Sequence, residues 1–174
     1  MRNIIIVTKG TNTYRVSIDT TTNKVKTCWF DPAIKGDKND SRINALAATV
    51  KTMQQLQENN VTDLTCFYSI NLVNDFISNG TALAWAHNGN KKLDGTPANE
   101  VEMALWTEFY ALYSSMIQNV IFKDQTTVSN IVKNNRSQYP ITEDMKNIAK
   151  YINQAWEQVE SKSAQLEEEE TDCI

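Results

Sequence analysis

The sequence predicts an α/β domain of the α+β kind, and two observations indicate this class. Three short apolar or alternating runs fill the first thirty residues, and polar turn segments separate them. Stripes of apolar residues at helical spacing then alternate with single strand-like runs. The predicted order is three strands, helix, strand, two helices, strand and helix.

The first three strands are predicted at residues 3–8, 14–19 and 24–30. The first is apolar and β-branched, which is typical of a buried strand, whereas the other two alternate apolar with polar residues. The turns between them are short, so the three strands are expected to form an antiparallel meander.

A long helix follows, with Asp40 or Ser41 as its N-cap. Its apolar stripe consists of Ile43, Leu46, Ala47, Val50, Met53 and Leu56. The pair Asn59-Asn60 ends this helix, and residues 61–68 are predicted as the fourth strand.

The second half predicts a mostly helical stretch at residues 70–77 and a polar, irregular one at 83–99. Pro97 precedes a second long helix, and residues 119–124 form a short strand. Residues 126–139 are interpreted as a loop, although 128–132 could be a short extra element. Thr142 is the expected N-cap of a final helix, whose stripe is Met145, Ile148, Ala149, Ile152, Trp156 and Val159.

Charge is unevenly distributed along the 174 residues. The net charge is -4, but five acids lie between residues 167 and 172; without them, 17 basic side chains face 16 acidic ones, since the total of acids is 21. We therefore expect a domain at 1–162, a disordered acidic tail at 163–174 and weak non-specific nucleic-acid binding. The N-terminal apolar run is too short for a signal or membrane segment, so the expected location is cytoplasmic.

Two stretches resemble ribonuclease H type 1 (RNase H). The run D-S-R-I-N-A-L-A-A from Asp40 is similar to that family's N-R-x-E-L-x-A helix start. The runs W-A-H-N-G from Trp85, K-K-L-D-G-T-P from Lys91 and L-W at 105–106 are similar to its W-x-x-N-G-x-K-x-x-D-G-x-P…L-W segment. The resemblance implies a five-stranded mixed sheet, with its first three strands antiparallel and helices on both faces.

The family cleaves the RNA strand of RNA–DNA hybrids with two magnesium ions held by four carboxylates. The resemblance places those four acid positions on Lys9, Asn44, Ser69 and Lys146, although a shift of two residues would replace Lys146 by Asp144. Magnesium requires oxygen ligands. An ammonium about 4 Å from a divalent ion is repelled by roughly 8 kcal/mol at an effective dielectric of about 20. We therefore predict no catalytic residues, no metal site and no cofactor.

Four acids could instead have been recruited to a relocated magnesium site: Asp19, Asp63, Asp124 and Asp144. This alternative describes a diverged but active nuclease that cleaves RNA in RNA–DNA hybrids. With one histidine and no C-x-x-C pair, a structural zinc site is not expected.

Nucleic-acid contact, if present, is predicted at Trp85, Asn88, Lys91 and Lys92, because the family's corresponding segment grips the hybrid. Base stacking combined with lysine–phosphate contacts would be the mechanism. The competing interpretation is a solvated loop with Trp85 folded onto its own helix. Our leading hypothesis is a catalytically inactive RNase H-like binding module, with a protein partner favoured over nucleic acid and no membrane association.

Overall fold

A five-stranded mixed sheet organises the computed structural model, which describes residues 1–33, 41–70, 72–134 and 140–162, without the side chains of residues 74 and 75. Its strands are β1 (Arg2–Lys9), β2 (Asn12–Asp19), β3 (Lys24–Phe30), β4 (Thr65–Ser69) and β5 (Val120–Asp124). Their spatial order is β3-β2-β1-β4-β5. β2 is antiparallel to β1 and β3, whereas β4 is parallel to β1 and β5. The predicted mixed sheet with an antiparallel first half is confirmed.

Helices cover both faces of this sheet, as predicted. They are α1 (Ser41–Glu58), a π-helical turn (Val73–Ser78), α2 (Thr81–His87), α3 (Glu100–Met116), α4 (Gln125–Asn134) and α5 (Glu143–Ser161). Side chains of β1 alternate between the faces, because successive residues of a strand point to opposite sides. Ile4 and Ile6 pack with α1, α2 and α3, whereas Ile5 and Val7 pack with α5. None of the described helices is both long and apolar enough to cross a membrane.

The fourth strand begins at Thr65, so its predicted start at residue 61 was wrong. Asn60 adopts a left-handed conformation with φ of 53°, and the N–H of Val61 donates to the carbonyl of Leu56 at 3.0 Å. This arrangement terminates α1. A left-handed residue after a helix turns the chain so that the next N–H groups can donate hydrogen bonds to the last free carbonyls of the helix. Residues 61–64 therefore form the connection between α1 and β4.

Two helices occupy segments that were predicted to be irregular. The left-handed Gly80 (φ 62°) precedes α2, in which Ala82, Ala84 and Ala86 supply strong helix formers. At α4, the side-chain carboxylate of Asp124 accepts a hydrogen bond from the N–H of Thr126 at 2.8 Å, which satisfies a free donor of the first turn. The loop prediction for 126–139 was wrong over most of that range.

The predicted N-cap of the final helix is confirmed: Thr142 accepts a hydrogen bond from the N–H of Met145 at 3.2 Å and caps α5. Trp106 lies in the core, and the thiols of Cys28 and Cys66 are buried and not joined in a disulfide. The alternative cap Asp40 and the acidic tail at 163–174 lie outside the described residues.

A buried carboxylate joins α1 to α3. Glu102 is 1% exposed and accepts hydrogen bonds from Arg42 Nε at 3.1 Å, Arg42 Nη2 at 2.8 Å and Trp106 Nε1 at 3.0 Å. The Arg42 guanidinium also lies over the Phe76 ring, 4.7 Å from its centroid. Burial of a carboxylate is tolerated only when its charge is paired and its oxygens are hydrogen-bonded.

We expect Arg42→Met to lower the free energy of unfolding by about 3 kcal/mol, because it leaves Glu102 as a buried charge without its counterion. Urea denaturation followed by circular dichroism measures this. Lys146→Met is the matched control: its ion pair with Glu143 is exposed, and such pairs contribute about 0–1 kcal/mol. Equal losses in the two variants would contradict this assignment.

Candidate functional site

The carboxyl ends of β1 and β4 lie side by side, and a buried glutamine fills the space between them. The two strands pair as far as Ile5 opposite Tyr68. Beyond that pair, Gln125 Nε2 donates to the carbonyl of Ile6 at 2.9 Å and more weakly to that of Tyr68 at 3.5 Å. We call this space the β1–β4 crevice.

Gln125 also ties the crevice to the last helix. It is the first residue of α4 and is 1% exposed, and its Oε1 accepts a hydrogen bond from Trp156 Nε1 at 2.9 Å. Trp156 lies on α5, which packs across β1 and β2. A neutral amide can both donate to the strand carbonyls and accept from the indole, which an ionised carboxylate cannot do. The crevice is therefore closed by uncharged groups.

Asn44, the second residue matched to a family acid, is a structural amide. It lies in the first turn of α1 and is 5% exposed. Its Oδ1 accepts from the N–H of Ala33 at 2.9 Å, and its Nδ2 donates to the carbonyl of Gly10 at 3.1 Å. A carboxylate at the same place would set an oxygen against the Gly10 carbonyl. Asn44 thus connects α1, the β1–β2 turn and the end of β3.

Lys9 and Lys146 lie at opposite ends of α5. Lys9 Nζ is 3.9 Å from the carboxylate of Glu160, whereas Lys146 Nζ is 3.3 Å from that of Glu143. Fourteen residues of helix separate Lys146 from Glu160, which corresponds to roughly 21 Å along the axis. The structure therefore places Lys9 near the carboxyl end of α5 and does not bring Lys146 to it.

Ser69 is the last residue of β4, opposite Asp124 of β5. It is 1% exposed, and its hydroxyl has no hydrogen-bond partner among the described residues. A serine hydroxyl without a base or an ion beside it has no means of activation.

The four acids considered as substitutes are spread over the fold. Asp19 accepts from the N–H of Thr21 at 2.9 Å, and this backbone bond is the main cause of the lowered pKa of its carboxyl. Asp63 is 3.9 Å from the guanidinium of Arg2. Asp124 caps α4, and Asp144 lies in the first turn of α5. Within the described ranges, no three histidine, cysteine, aspartate or glutamate side chains lie close enough together to hold one metal ion.

Trp85 packs into the main core and not merely onto its own helix. It is 8% exposed, and its ring meets that of Phe76 edge-on with centroids 5.5 Å apart. Lys92 Nζ lies over the Trp85 ring, 5.4 Å from its centroid. Stacking of a base on this indole would require it to leave this packing.

Asn88 and Lys91 are exposed, whereas Lys92 is half-buried; the two lysines lie on a tight hairpin, residues 91–97. The N–H of Lys92 donates to the carbonyl of Thr96 at 2.9 Å, and Gly95 at the turn has a φ of 83°. Leu93 lies at the tip and is 95% exposed. The hairpin therefore presents two lysines and one apolar side chain on an ordered turn.

The central role of Gln125 was not predicted from the sequence. Glutamine carries no motif of its own, and the position fell within the boundary between a predicted strand and a predicted loop. Trp156 was expected on the apolar stripe of the last helix, but its indole N–H bond to Gln125 could not be anticipated without the fold.

We expect Gln125→Leu to lower the free energy of unfolding by about 2–3 kcal/mol, because it leaves Trp156 Nε1 and the Ile6 carbonyl without partners. Trp156→Phe removes the indole donor, and the double variant should lose less than the sum of the two single losses. Urea denaturation followed by circular dichroism measures all three. Strictly additive losses would show that the two side chains are not coupled.

No model of a known protein family matches the chain, and no curated protein matches it. Among solved structures, the chain is similar to a foamy viral protease–reverse transcriptase in complex with an RNA/DNA hybrid, with 8% identity and a TM-score of 0.52. That match covers 92% of this chain but only 20% of the viral chain. A second structure, the foamy viral protease–reverse transcriptase in complex with double-stranded DNA, matches at 10% identity with a TM-score of 0.44, over 88% of this chain and 90% of that one.

The first structural likeness concerns the fold alone, because sequence identity this low carries no information about activity. It agrees with the strand order, the mixed pairing and the helices on both faces described above. The chain therefore has an RNase H-like fold.

Proposed function

We propose that this chain is a catalytically silent RNase H-like module that acts by binding a protein partner. The observation that supports this most directly is the β1–β4 crevice, which is filled by the Gln125 amide and closed by Trp156. Two-metal hydrolysis of a phosphodiester requires carboxylates there to hold both ions.

The side chains at three of the positions matched to family acids do not suit metal binding. Asn44 uses its amide to donate and to accept, Ser69 is a buried hydroxyl, and Lys9 adds a positive charge that Glu160 partly offsets. A divalent cation at this end of the sheet would meet an ammonium and two neutral groups. The electrostatic balance opposes ion binding.

The relocated-acid alternative, a diverged RNase H with Mg²⁺ as cofactor, is weakened by the separation of its candidates. Asp19 and Asp63 lie near Arg2 at the amino end of β1, whereas Asp124 lies at the carboxyl end of β5. Two magnesium ions in such a site lie about 4 Å apart, so their ligands must converge.

A protein partner is favoured by charge and by the hairpin. The nearly balanced charge of residues 1–166 offers little counterion release, which drives most nucleic-acid affinity. Leu93 lies at the tip of a hydrogen-bonded turn. Little conformational entropy is therefore lost when its side chain enters a pocket of the partner protein. An apolar tip suits a protein surface better than a phosphate backbone.

Nucleic acid is the second candidate partner, and an RNA–DNA hybrid is one form of it. The observation in its favour is the pair Lys91 and Lys92 beside the exposed Asn88 on one ordered segment. Lys91 is exposed and could contact a phosphate without rearrangement, whereas Lys92 is half-buried and lies over the Trp85 ring. Trp85 is packed in the core and would not take part.

We expect no chelator-sensitive cleavage of a labelled RNA–DNA hybrid in the presence of Mg²⁺ or Mn²⁺, because the part of the chain that the structure describes contains no cluster of three acidic side chains that could hold a metal ion. Gel analysis of the RNA strand over time measures this. Cleavage that EDTA abolishes, and that is lost in Asp19→Asn, Asp63→Asn, Asp124→Asn or Asp144→Asn, would establish the relocated-acid alternative.

The choice between partner classes is tested by fluorescence anisotropy with a labelled hybrid at rising salt. We expect weak, strongly salt-dependent binding that Lys91→Ala with Lys92→Ala reduces no more than Lys133→Ala with Lys150→Ala. The second pair is the control, because both of its lysines are exposed and lie outside the hairpin. A loss of tenfold or more that is confined to the hairpin pair would instead support nucleic acid as the partner.

A further inference from the structure

The strand β3 forms one edge of the sheet, and its first half is exposed. Among the described residues it pairs only with β2. Residues 24–27 are all exposed, and they include the apolar Val25, which is 41% exposed. The outer side of an edge strand carries backbone N–H and C=O groups that can pair with a further strand. The first half of β3 is therefore a surface on which another extended segment can lie.

The charges at this edge favour an acidic segment. Arg2 of β1 lies opposite Asp19 of β2, which lies opposite Lys24 of β3, so the sign of the charge alternates across the three strands. These residues and Lys26 line one cleft, which has three basic side chains and one acidic side chain. Opposite charges on facing strands stabilise a sheet, and like charges destabilise it. A second copy paired through β3 would add further lysines, whereas an acidic segment would continue the alternation.

The chain's own acidic tail begins at the other end of β3. Lys162 follows the last residue of α5 with an extended backbone (φ -64°, ψ 113°), and its Nζ lies 3.7 Å from the centroid of the Trp29 ring. Lys24 is five residues from Trp29 along β3, which corresponds to roughly 16 Å. Five residues beyond Lys162, the chain reaches Glu167, the first of four consecutive glutamates at 167–170. An extended tail therefore brings negative charge to Lys24 without any excess length.

We propose that residues 164–170 lie along the outer edge of β3 as an antiparallel strand. In the register that this spacing gives, Glu167 lies opposite Lys24 and continues the alternating row of charges. The preceding residue, Leu166, lies opposite Val25. Successive residues of a strand point to opposite faces, so the apolar pair and the charged pair lie on different sides of the extended sheet.

The connection between α5 and this segment strengthens the pairing. Ser163 is the only residue between Lys162 and the proposed strand, so the effective concentration of the segment at the edge is on the order of millimolar. Contacts too weak to hold a separate peptide can therefore hold the tail. A covered edge is protected from pairing with other chains. Neither the hairpin nor the β1–β4 crevice takes part, so this inference goes beyond the proposed function and does not depend on it.

NMR spectroscopy of the full chain, labelled with ¹⁵N and ¹³C, tests this pairing. We expect nuclear Overhauser contacts between the backbone protons of residues 164–167 and those of residues 24–27, and ¹⁵N relaxation of the tail strand similar to that of α5. Random-coil or helical chemical shifts over residues 164–167, without contacts to β3, would overturn the proposal. Contacts between the β3 strands of two copies, with a doubled mass in sedimentation, would overturn it as well.

A charge exchange tests the proposed register. We expect Lys24→Glu and Glu167→Lys each to lose most of the intensity of these contacts, because like charges then face each other, and the double variant to recover it. Glu157→Lys is the matched control: it makes the same charge change at an exposed position of α5 and should keep the contacts. Equal effects of Glu167→Lys and Glu157→Lys, or no recovery in the double variant, would contradict the proposal. If a variant does not fold, the contacts in the native chain decide alone.

Discussion

The architecture depends on how β1 and β4 end, because parallel strands that stop pairing leave backbone carbonyls without donors. Gln125 supplies the missing donor to Ile6 and Tyr68 and takes its own hydrogen bond from Trp156. One buried amide thus joins β1, β4, the start of α4 and α5. Each hydrogen bond contributes only about 1 kcal/mol net, but leaving the partners unpaired in the core would cost about 1–3 kcal/mol each.

This constraint explains how an RNase H-like fold can be closed without cations. A cluster of carboxylates at one end of a sheet repels itself, and bound metal ions normally offset that repulsion. Here the same region contains an amide, a hydroxyl and an asparagine whose donor and acceptor are both used. Gln125, Ser69 and Asn44 are neutral and need no counterion, whereas Lys9 at the end of β1 is exposed and lies beside Glu160.

The strands and long helices were predictable because the spacing of their apolar residues indicates a strand or a helix. The helical stripe of α5 reflects one-sided burial, which the sequence records directly. β2 and α1 are buried on more than one side, because polar residues such as Arg15, Ser17 and Thr49 are buried beside their apolar neighbours. The helix α2 was missed because glycine and asparagine residues around it suggested a loop, although its own alanines favour a helix. α4 was predicted only as an alternative, a short element at 128–132, because its apolar residues Val128, Ile131 and Val132 span less than two helical turns.

The candidate site was less predictable, since it depends on contacts between residues distant in sequence. Asn44 could be placed at the first turn of α1, but its bonds to Ala33 and Gly10 require the folded β1–β2 turn. Whether Lys146 lies near Lys9 depends on which end of α5 packs beside Lys9. Helical periodicity predicts which face of a helix is buried, but not which of its ends meets another element.

The central claim is that the space between β1 and β4 is filled by the uncharged side chain of Gln125 and is not an ion site. Paramagnetic broadening by Mn²⁺ tests this most directly, because the ion erases NMR signals only of nuclei near it. Titration of the ¹⁵N-labelled chain should leave the amide signals of Lys9, Gly10, Asn44 and Ser69 no more broadened than those of exposed residues elsewhere. Selective loss of those four signals at low Mn²⁺ concentration would contradict the account.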